Sequence, residues 1–342
     1  MVMRGRYNAE IESARNSMDV PTRHPLKAAG LLNILGLLIA WGALFGFFTL
    51  KLPGTFATFP NVETIARQAT IVSMAALGMT LIIIVGAIDL SIGSAVALVT
   101  VVIATMLGVS SSVVALIVGV GAGALAGLLN GLAVTRLKVA PFVVTLGSLL
   151  IFRGLARGLG HDKTVSAPDT WLNNLLTVLE PNEHWKLFPI GVWFMLLMAA
   201  AVAIILNRTV FGRHIVAVGS NEEAAHMSGV SVDRVKLAVF GLAGFFTGLA
   251  GLMQFSRLTV GDPTVAAGLE LDVIAAVVIG GASLSGGQGS VLGSLVGALF
   301  MTTVANGFAQ MGLPEWVRQV VTGVIIVLAV ALDRIRARQV RA

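Results

Sequence analysis

The stretch from Asn207 to Lys236 reads NRTVFGRHIVAVGSNEEAAHMSGVSVDRVK and separates two long apolar segments. Inside it, Ser220 is predicted as the N-cap of a short helix, with Glu223 as its capping-box partner and Gly229 as the stop. A helix of about eight residues is unstable alone in water because nucleation is costly, so this one needs a surface to lie on. Two interpretations are open from these residues alone. The segment is either an ordinary loop helix resting on its own protein or a handle through which a cytoplasmic partner moves the membrane part.

The composition around this segment is that of a membrane protein. The chain has 342 residues, of which 56% are apolar and 12% charged, whereas soluble domains carry about 25% charged residues. A soluble fold of this size cannot bury so much apolar surface, so the chain is predicted to cross the membrane many times. It contains no cysteine, which excludes disulfides, thiol redox sites and cysteine-ligated metals. The net charge of +6 lies beside the apolar segments and therefore does not indicate nucleic-acid binding.

The hydropathy pattern predicts an all-α, polytopic membrane fold with about ten transmembrane helices. The predicted spans are 26–50, 62–88, 92–107, 111–135, 139–155, 189–206, 237–255, 270–282, 290–310 and 314–332. Residues 1–25 are expected to form a cytoplasmic N-terminal segment and 26–342 a single transmembrane domain, with a cytoplasmic loop at 207–236 and an external loop at 156–188. Five apolar residues of the external loop are spaced for a helix lying on the membrane surface: Trp171, Leu172, Leu175, Leu176 and Leu179.

The distribution of basic residues sets the predicted orientation. With a cytoplasmic N-terminus, fifteen of the 23 Lys and Arg residues fall in cytoplasmic segments and six in external ones. Because cytoplasmic loops carry an excess of Lys and Arg, both termini are predicted to be cytoplasmic. The remaining two, Arg67 and Arg153, lie within spans near their ends, where their side chains are expected to snorkel to the interface.

The eighth span, 270–282, is too short to cross a hydrocarbon layer of ~30 Å unbent. It is expected to cross as a broken helix beside a pathway, since non-helical backbone at that depth is tolerated only inside protein or along a cavity. A glycine-rich pattern around Gly86 recurs around Gly280 at a constant offset, which hints at an internal repeat. Asp89 is predicted to cap the third span, with a proton-relay role as the alternative. The candidate break and turn residues are Gly86, Asp89, Gly93, Gly280, Gly281, Gly286 and Gly287.

The segment from Leu284 to Gln288 reads LSGGQ, a string known from ATPase domains that bind ATP opposite a phosphate-binding loop. The chain has no GxxxxGK[ST] motif, so the string is interpreted as a glycine-rich turn between two spans. The five histidines have no metal-ligand spacing, and no nucleophile–base or carboxylate pair is evident. We therefore expect no enzyme activity, no catalytic residue, no metal and no cofactor.

Polar residues within the spans are few and mostly uncharged, and no carboxylate lies at a clear mid-membrane depth, as a proton- or sodium-driven carrier would need. Most single Ser and Thr residues bond their own helix or a neighbour. A row of neutral polar groups can also line a path for a sugar or polyol. The candidate path residues are Asn130, Thr145, Ser148, Gln254, Asn306 and Gln310.

Four stretches of the chain resemble the membrane permease subunit of ribose/galactose-type ABC sugar importers. Three of them are GMTLIIIVGAIDLSIGS from Gly78, NGLAVTRLKVAPFVVTLGSLLIFRGLA from Asn130 and AVGSNEEAAHMSGVSVDRVK from Ala217. The fourth runs from about Ala243 to Leu299 and includes GGASLSGGQG from Gly280, a pattern typical of these permeases. Together they cover most of the chain after residue 62, and they appear in the same order along it.

The resemblance implies a bacterial inner-membrane protein that works with three kinds of partner. These are a cytoplasmic ABC ATPase subunit, a periplasmic sugar-binding protein and a second permease copy, in a homodimer or a heterodimer surrounded by lipid. The path would carry a monosaccharide similar to ribose, xylose or galactose. The resemblance also makes the short cytoplasmic helix the coupling helix that docks on the ATPase, through Ser220, Asn221, Glu222, Glu223, Ala224, Ala225 and Gly229.

Two rival functions predict different behaviour. An ATP-independent secondary carrier or channel would transport small polar solutes along an ion gradient and would survive loss of any ATPase. A structural or receptor-like subunit would conduct no solute at all.

Overall fold

The computed structural model describes residues 25–341. Within that range the chain forms twelve α-helices and two very short strands. The helices are α1 (Pro25–Lys51), α2 (Phe59–Ile84), α3 (Ile92–Leu107), α4 (Ser112–Leu137), α5 (Pro141–Leu159), α6 (Ile190–Arg208), α7 (Val210–Ser220), α8 (Glu222–Met227), α9 (Val232–Leu258), α10 (Leu269–Ile279), α11 (Val291–Gln310) and α12 (Glu315–Arg341). The strands β1 (Val165–Ser166) and β2 (Val260–Gly261) pair antiparallel, with Val165 opposite Gly261.

All ten apolar segments predicted as spans are helical. In the described part of the chain, seven helices are long and apolar enough to cross a membrane: α1, α2, α4, α5, α6, α9 and α11. The other three predicted spans correspond to α3 with 16 residues, α10 with 11 residues and α12. The prediction of an all-α polytopic membrane protein is confirmed. The predicted N-terminal segment, 1–25, lies almost entirely outside the described residues.

Helix α2 is the centre of the molecule. Most residues of its apolar stretch are buried inside the protein, whereas only a minority of those of α4, α5 and α6 are. A helix that is apolar on every side belongs in the interior of a bundle, which explains this position. Helix α9 packs against α2, α3 and α4, and α11 packs against α1, α2 and α10.

Glycines set the distance between α4 and α9, the two helices with the most extensive mutual contact. A Cβ added at Gly127 would lie 2.2 Å from the Phe240 carbonyl oxygen, and one at Gly123 would lie 2.5 Å from the Gly248 Cα. Small residues at such spacing let membrane helices approach backbone to backbone. The abundance of glycine in the sequence is therefore used here for helix packing.

The predicted surface helix in the external loop is wrong. Residues 171–188 contain the 3₁₀ turns Asn173–Leu175 and Pro181–Lys186 and no α-helix, and Leu172 and Leu176 are fully buried. The Leu176 backbone N–H donates to Ser256 Oγ at 2.8 Å, and the Leu179 N–H donates to Glu63 Oε1 at 2.8 Å. The spacing of the apolar residues is compatible both with a helix on the lipid surface and with a segment inserted between helices. Insertion is favoured because the neighbouring helices supply hydrogen-bond partners for the backbone of the segment.

Arg67 and Arg153 do not snorkel as predicted. Arg67 Nε donates to the Leu176 carbonyl oxygen at 2.5 Å. Arg153 Nη1 donates to the carbonyl oxygens of Pro263 and Val265, at 2.9 and 2.7 Å. Both guanidinium groups thus hold non-helical segments against the bundle, because buried backbone carbonyls need donors that those segments do not supply themselves.

Candidate functional site

Between α6 and α9 the chain folds as two helices in succession, α7 and α8. Helix α7 continues through Ser220, whose Oγ donates to the Val216 carbonyl oxygen at 2.7 Å. The N-cap of α8 is therefore Asn221 and not Ser220: Asn221 has an extended backbone, and its Oδ1 accepts from the Ala224 N–H at 2.9 Å. Asn caps helices as well as Ser does, so the sequence pattern could not distinguish the two neighbours. After α8, Gly229 takes φ +84° and turns the chain toward α9.

Helix α8 shows most of its surface to solvent. Among its residues only Ala225 is buried, while Met227 is 77% exposed. Glu222 Oε2 lies 2.7 Å from Lys236 Nζ, which ties the start of α8 to the first turn of α9. Beside this helix a groove of about 870 Å³ is bordered by the turn at Lys138 to Pro141. The helix is thus seated by one face, with the opposite face open.

The end of α7 contacts the end of α2 and the turn before α11 directly through the backbone. A Cβ added at Gly219 would lie 1.7 Å from the Ile84 carbonyl oxygen and 2.7 Å from the Gly287 nitrogen. The Gly287 N–H in turn donates to the same Ile84 carbonyl oxygen at 2.8 Å. We call this meeting of Ile84, Gly219 and Gly287 the glycine junction. It leaves no room for a side chain between α7, the end of α2 and the turn before α11.

The two helix breaks have similar geometry. Gly86 and Gly281 take φ +86° and +93°. The following N–H groups, of Ala87 and Ala282, donate to carbonyl oxygens five residues earlier, at 2.9 and 3.1 Å. This is the pattern of a left-handed helix ending. Gly86 therefore corresponds to Gly281, one residue beyond the match with Gly280 that the sequence suggested.

Other predicted break residues have different positions. Gly280 has φ −65° and is the C-cap of α10. Gly286 and Gly287, at φ +83° and +76°, form the turn before α11. Gly93 breaks no helix: it lies in the first turn of α3, where an added Cβ would be 2.4 Å from the Ala266 carbonyl oxygen.

Asp89 is buried in the turn that precedes α3. Its Oδ1 accepts from the backbone N–H and the hydroxyl of Ser91, at 2.8 and 2.6 Å. Asn130 Nδ2 donates to the Ser91 Oγ at 2.9 Å, and Thr145 Oγ1 donates to the Ile88 carbonyl oxygen at 3.2 Å. Asp89 thus stabilises the turn through Ser91, which is itself the N-cap residue of α3. Asn130 and Thr145, two candidate path residues, are hydrogen-bonded to this turn, and Ser148 is half-buried one helical turn after Thr145.

A second group of candidate path residues lies in the half of the molecule away from α8. Gln254 and Asn306 line a cavity of about 450 Å³ between α2, α9, α10, α11 and the start of α12. Gln310 Nε2 donates to Asn61 Oδ1 at 2.5 Å and to Asn306 Oδ1 at 3.4 Å. We call this space the outer cavity. The structure therefore separates the six candidates into an outer group and a group around Asp89.

The outer cavity also holds charged residues that the sequence reasoning did not select. Arg257, Asp272, Glu315 and Arg318 line it. Arg318 Nε donates to Glu315 Oε1 at 2.9 Å, and its Nη1 lies 3.7 Å from Asp272 Oδ2. Arg257 was assigned to an external segment, although it follows Gln254 by three residues and so shares a helical face with it. Across the described residues no group of three His, Asp or Glu side chains could hold a metal ion.

Comparison with known proteins gives a consistent result. The family described as "Branched-chain amino acid transport system / permease component" matches residues 61–330. The ribose import permease protein RbsC of Bacillus subtilis is 38% identical over 283 residues, covering 80% of this chain and 84% of that protein. The L-arabinose ABC transporter permease protein AraH of Azospirillum brasilense is 34% identical, covering 93% and 94%. The xylose transport system permease protein XylH of Escherichia coli K12 is 32% identical, covering 94% and 97%. No solved structure matches the chain.

Proposed function

The chain belongs to the family of branched-chain amino acid transport system permease components, and from this membership we propose that it is the membrane subunit of an ABC importer for a monosaccharide, with a pentose as its solute. The pentose assignment is supported by the names of three relatives, which are permeases for ribose, L-arabinose and xylose. The importer function is carried by the position of α8, an exposed helix that directly follows α7, whose Gly219 contacts the end of α2 and the turn before α11.

The proposed coupling surface is formed by Ser220, Asn221, Glu222, Glu223, Ala224, Ala225 and Gly229. A cytoplasmic ATPase subunit that binds the open face of α8 would displace α7 with it, because Asn221 alone separates the two helices. The glycine junction would pass that displacement to the end of α2 and to the turn before α11, since backbone atoms in contact cannot move independently. ATP hydrolysis is assigned to this partner, because the chain has no phosphate-binding loop of its own.

The proposed path begins at the outer cavity and passes the two helix breaks. Gln254, Asn306 and Gln310 belong to its outer part. Asn130 and Thr145 act at a distance from it by fixing the Asp89 turn, and Ser148 lies on the same helix as Thr145. A binding protein on the outer side would deliver the solute, and a second permease copy would complete the path. In this proposal, residues 26–342 form a single membrane domain.

Transport by the reconstituted complex tests the function. The permease is co-expressed with the ATPase and binding-protein genes that neighbour its own, inserted into liposomes, and assayed with radiolabelled ribose, arabinose and xylose. Uptake of at least one pentose that requires internal ATP and the binding protein supports the importer. Uptake that follows a proton or sodium gradient without ATP would favour a secondary carrier, and absence of flux from a folded complex would favour a structural subunit.

A further inference from the structure

The outer cavity contains polar groups without protein partners. Gln68, Gln254 and Arg257 line it, and none of the three makes a hydrogen bond or ion pair with another residue in the part of the chain that the structure describes. Gln254 is 5% exposed and the Nε atom of Arg257 is fully buried, whereas Gln68 is half-buried. Buried polar groups in proteins are nearly always hydrogen-bonded, so the unpartnered Gln254 side chain and the buried Arg257 Nε beside one space indicate a ligand that supplies the partners.

The size and the mixed character of the cavity indicate a small molecule. Its volume of about 450 Å³ falls within the range of about 300–1,000 Å³ that small-molecule sites occupy. Apolar side chains, among them Ile71, Met301 and Phe308, line its wall together with the polar ones. A sugar ring presents hydroxyl groups at its rim and C–H groups on its faces, so it can use both kinds of surface.

The charges of the cavity favour a neutral ligand. Two guanidinium groups and two carboxylates line it, and three of these four groups are gathered on one side, where Arg318 contacts Glu315 and lies near Asp272. Arg257 alone is unpaired. An anion would meet the carboxylates of Asp272 and Glu315, and a cation would meet Arg257, whereas a neutral polyol can accept from Arg257 and donate to the carboxylates.

We propose that the outer cavity is a binding site for a neutral pentose within a single permease chain, in which Arg257 and Gln254 bind the hydroxyl and ring oxygens of the sugar. This inference rests on the proposed importer function and adds a defined holding position for the solute before it passes the helix breaks. It also makes Arg257 a residue that contacts the solute. Arg257 is not among the path residues predicted from the sequence, because only uncharged polar residues were considered as candidates for the path.

The absence of native cysteine allows a direct test. Ala305→Cys places one thiol in the cavity wall, and Asp169→Cys places one on the exposed external segment as the matched control. Each variant of the complex is labelled with a charged methanethiosulfonate reagent in the presence of D-ribose, D-xylose, L-arabinose or D-ribonate. We expect at least one neutral pentose to slow labelling of Ala305→Cys several-fold, with no effect on Asp169→Cys and a smaller effect of ribonate.

A second substitution assigns the effect to the arginine. In the Ala305→Cys background, Arg257→Gln should abolish protection and raise the sugar concentration for half-maximal uptake by about tenfold, as expected for loss of a charged hydrogen bond. Arg157→Gln, at an exposed position on α5, should change neither quantity. Labelling that no sugar slows, protection that survives Arg257→Gln, or stronger protection by ribonate would overturn the proposed site. If ATP-driven uptake persists in that case, the site is wrong but the importer function stands. Absence of uptake from the unsubstituted complex would instead reject the function.

Discussion

Gly219 is the residue on which contact of α7 with the end of α2 and with the turn before α11 depends. An added methyl group would overlap the Ile84 carbonyl oxygen, so Gly219→Ala must displace α7 or the end of α2. Overpacking of this kind costs about 1–3 kcal/mol. We expect a lower melting temperature. We also expect sugar uptake to fall by more than the loss of folded protein explains, because the displaced backbone is also the proposed coupling contact.

The matched control is Gly147→Ala on α5, where an added Cβ meets no atom within 4 Å. That variant should keep the wild-type melting temperature and uptake, since Ala is the better helix former. Both quantities are measured on purified complexes by differential scanning fluorimetry and in proteoliposomes. A Gly219→Ala complex with normal uptake would refute the role of the glycine junction in coupling.

Leu176 shows why the spacing of apolar residues between the fifth and sixth predicted spans could not predict whether their side chains are buried in the protein or lie on its surface. Its side chain is fully buried, and its backbone is held by Ser256 and Arg67, two partners from distant parts of the chain. Leu176→Ala should lower the free energy of unfolding by about 2–4 kcal/mol, the usual cost of a cavity in a packed core. Leu159→Ala, at a half-exposed position on α5, should cost less than about 1 kcal/mol. Equal melting temperatures for the two variants would show that the segment is not packed as described.

The sequence predicted the short helix α8, and its limits were predictable only within a residue or two. Capping signals and the glycine stop identified a short helix between basic residues, and a helix is present there. Local signals could not show that α7 extends through Ser220, because its end is set by contact with α2 and with the turn at Gly287. Similarly, Gly93 resembled a break by its offset, although its position is determined by packing against Ala266.

Charge reversal on α8 distinguishes the roles of its two acidic residues, Glu222 and Glu223. Glu222 bonds Lys236, whereas Glu223 is exposed and makes no ion pair with any described residue. Glu223→Arg breaks no ion pair and places a positive charge in the first turn of α8, which costs at most about 1 kcal/mol, so the melting temperature should change little. If the open face of α8 binds the ATPase, the same substitution should lower sugar-stimulated ATP hydrolysis and uptake, because a new positive charge and a longer side chain disturb the contact.

Arg208→Gln provides the comparison, since Arg208 is exposed at the C-terminal end of α6 and lies outside α8. It should retain both stability and coupling. Normal uptake in a Glu223→Arg variant would remove that residue from the coupling surface. The double variant Glu222→Arg with Glu223→Arg should be the more strongly uncoupled, because it also breaks the bond to Lys236.

In the whole molecule, the sequence predicted the helices far better than their arrangement. Each of the ten segments predicted as spans from hydropathy is helical, because hydropathy is a local property of the chain. The central position of α2, the crossing of α4 and α9 at glycines, and the grouping of Gln254 with Arg257 around one cavity depend on contacts between residues far apart in sequence. The outer cavity in particular is formed by five helices, and no single stretch of sequence contains its pattern.

The assembly of the molecule is tested by what it retains on gentle purification. Helix α8 offers an open face, and a groove of about 870 Å³ lies beside it, so a cytoplasmic subunit has both a projecting and a recessed surface to bind. We expect the tagged permease, extracted from its native membrane in a mild detergent, to bring down an ATPase subunit in stoichiometric amount by mass spectrometry. The Glu222→Arg, Glu223→Arg double variant should recover less of it, whereas Arg208→Gln should recover the wild-type amount. A permease that is isolated alone and conducts pentoses in vesicles without ATP would contradict the importer, and the open face of α8 would then need another partner.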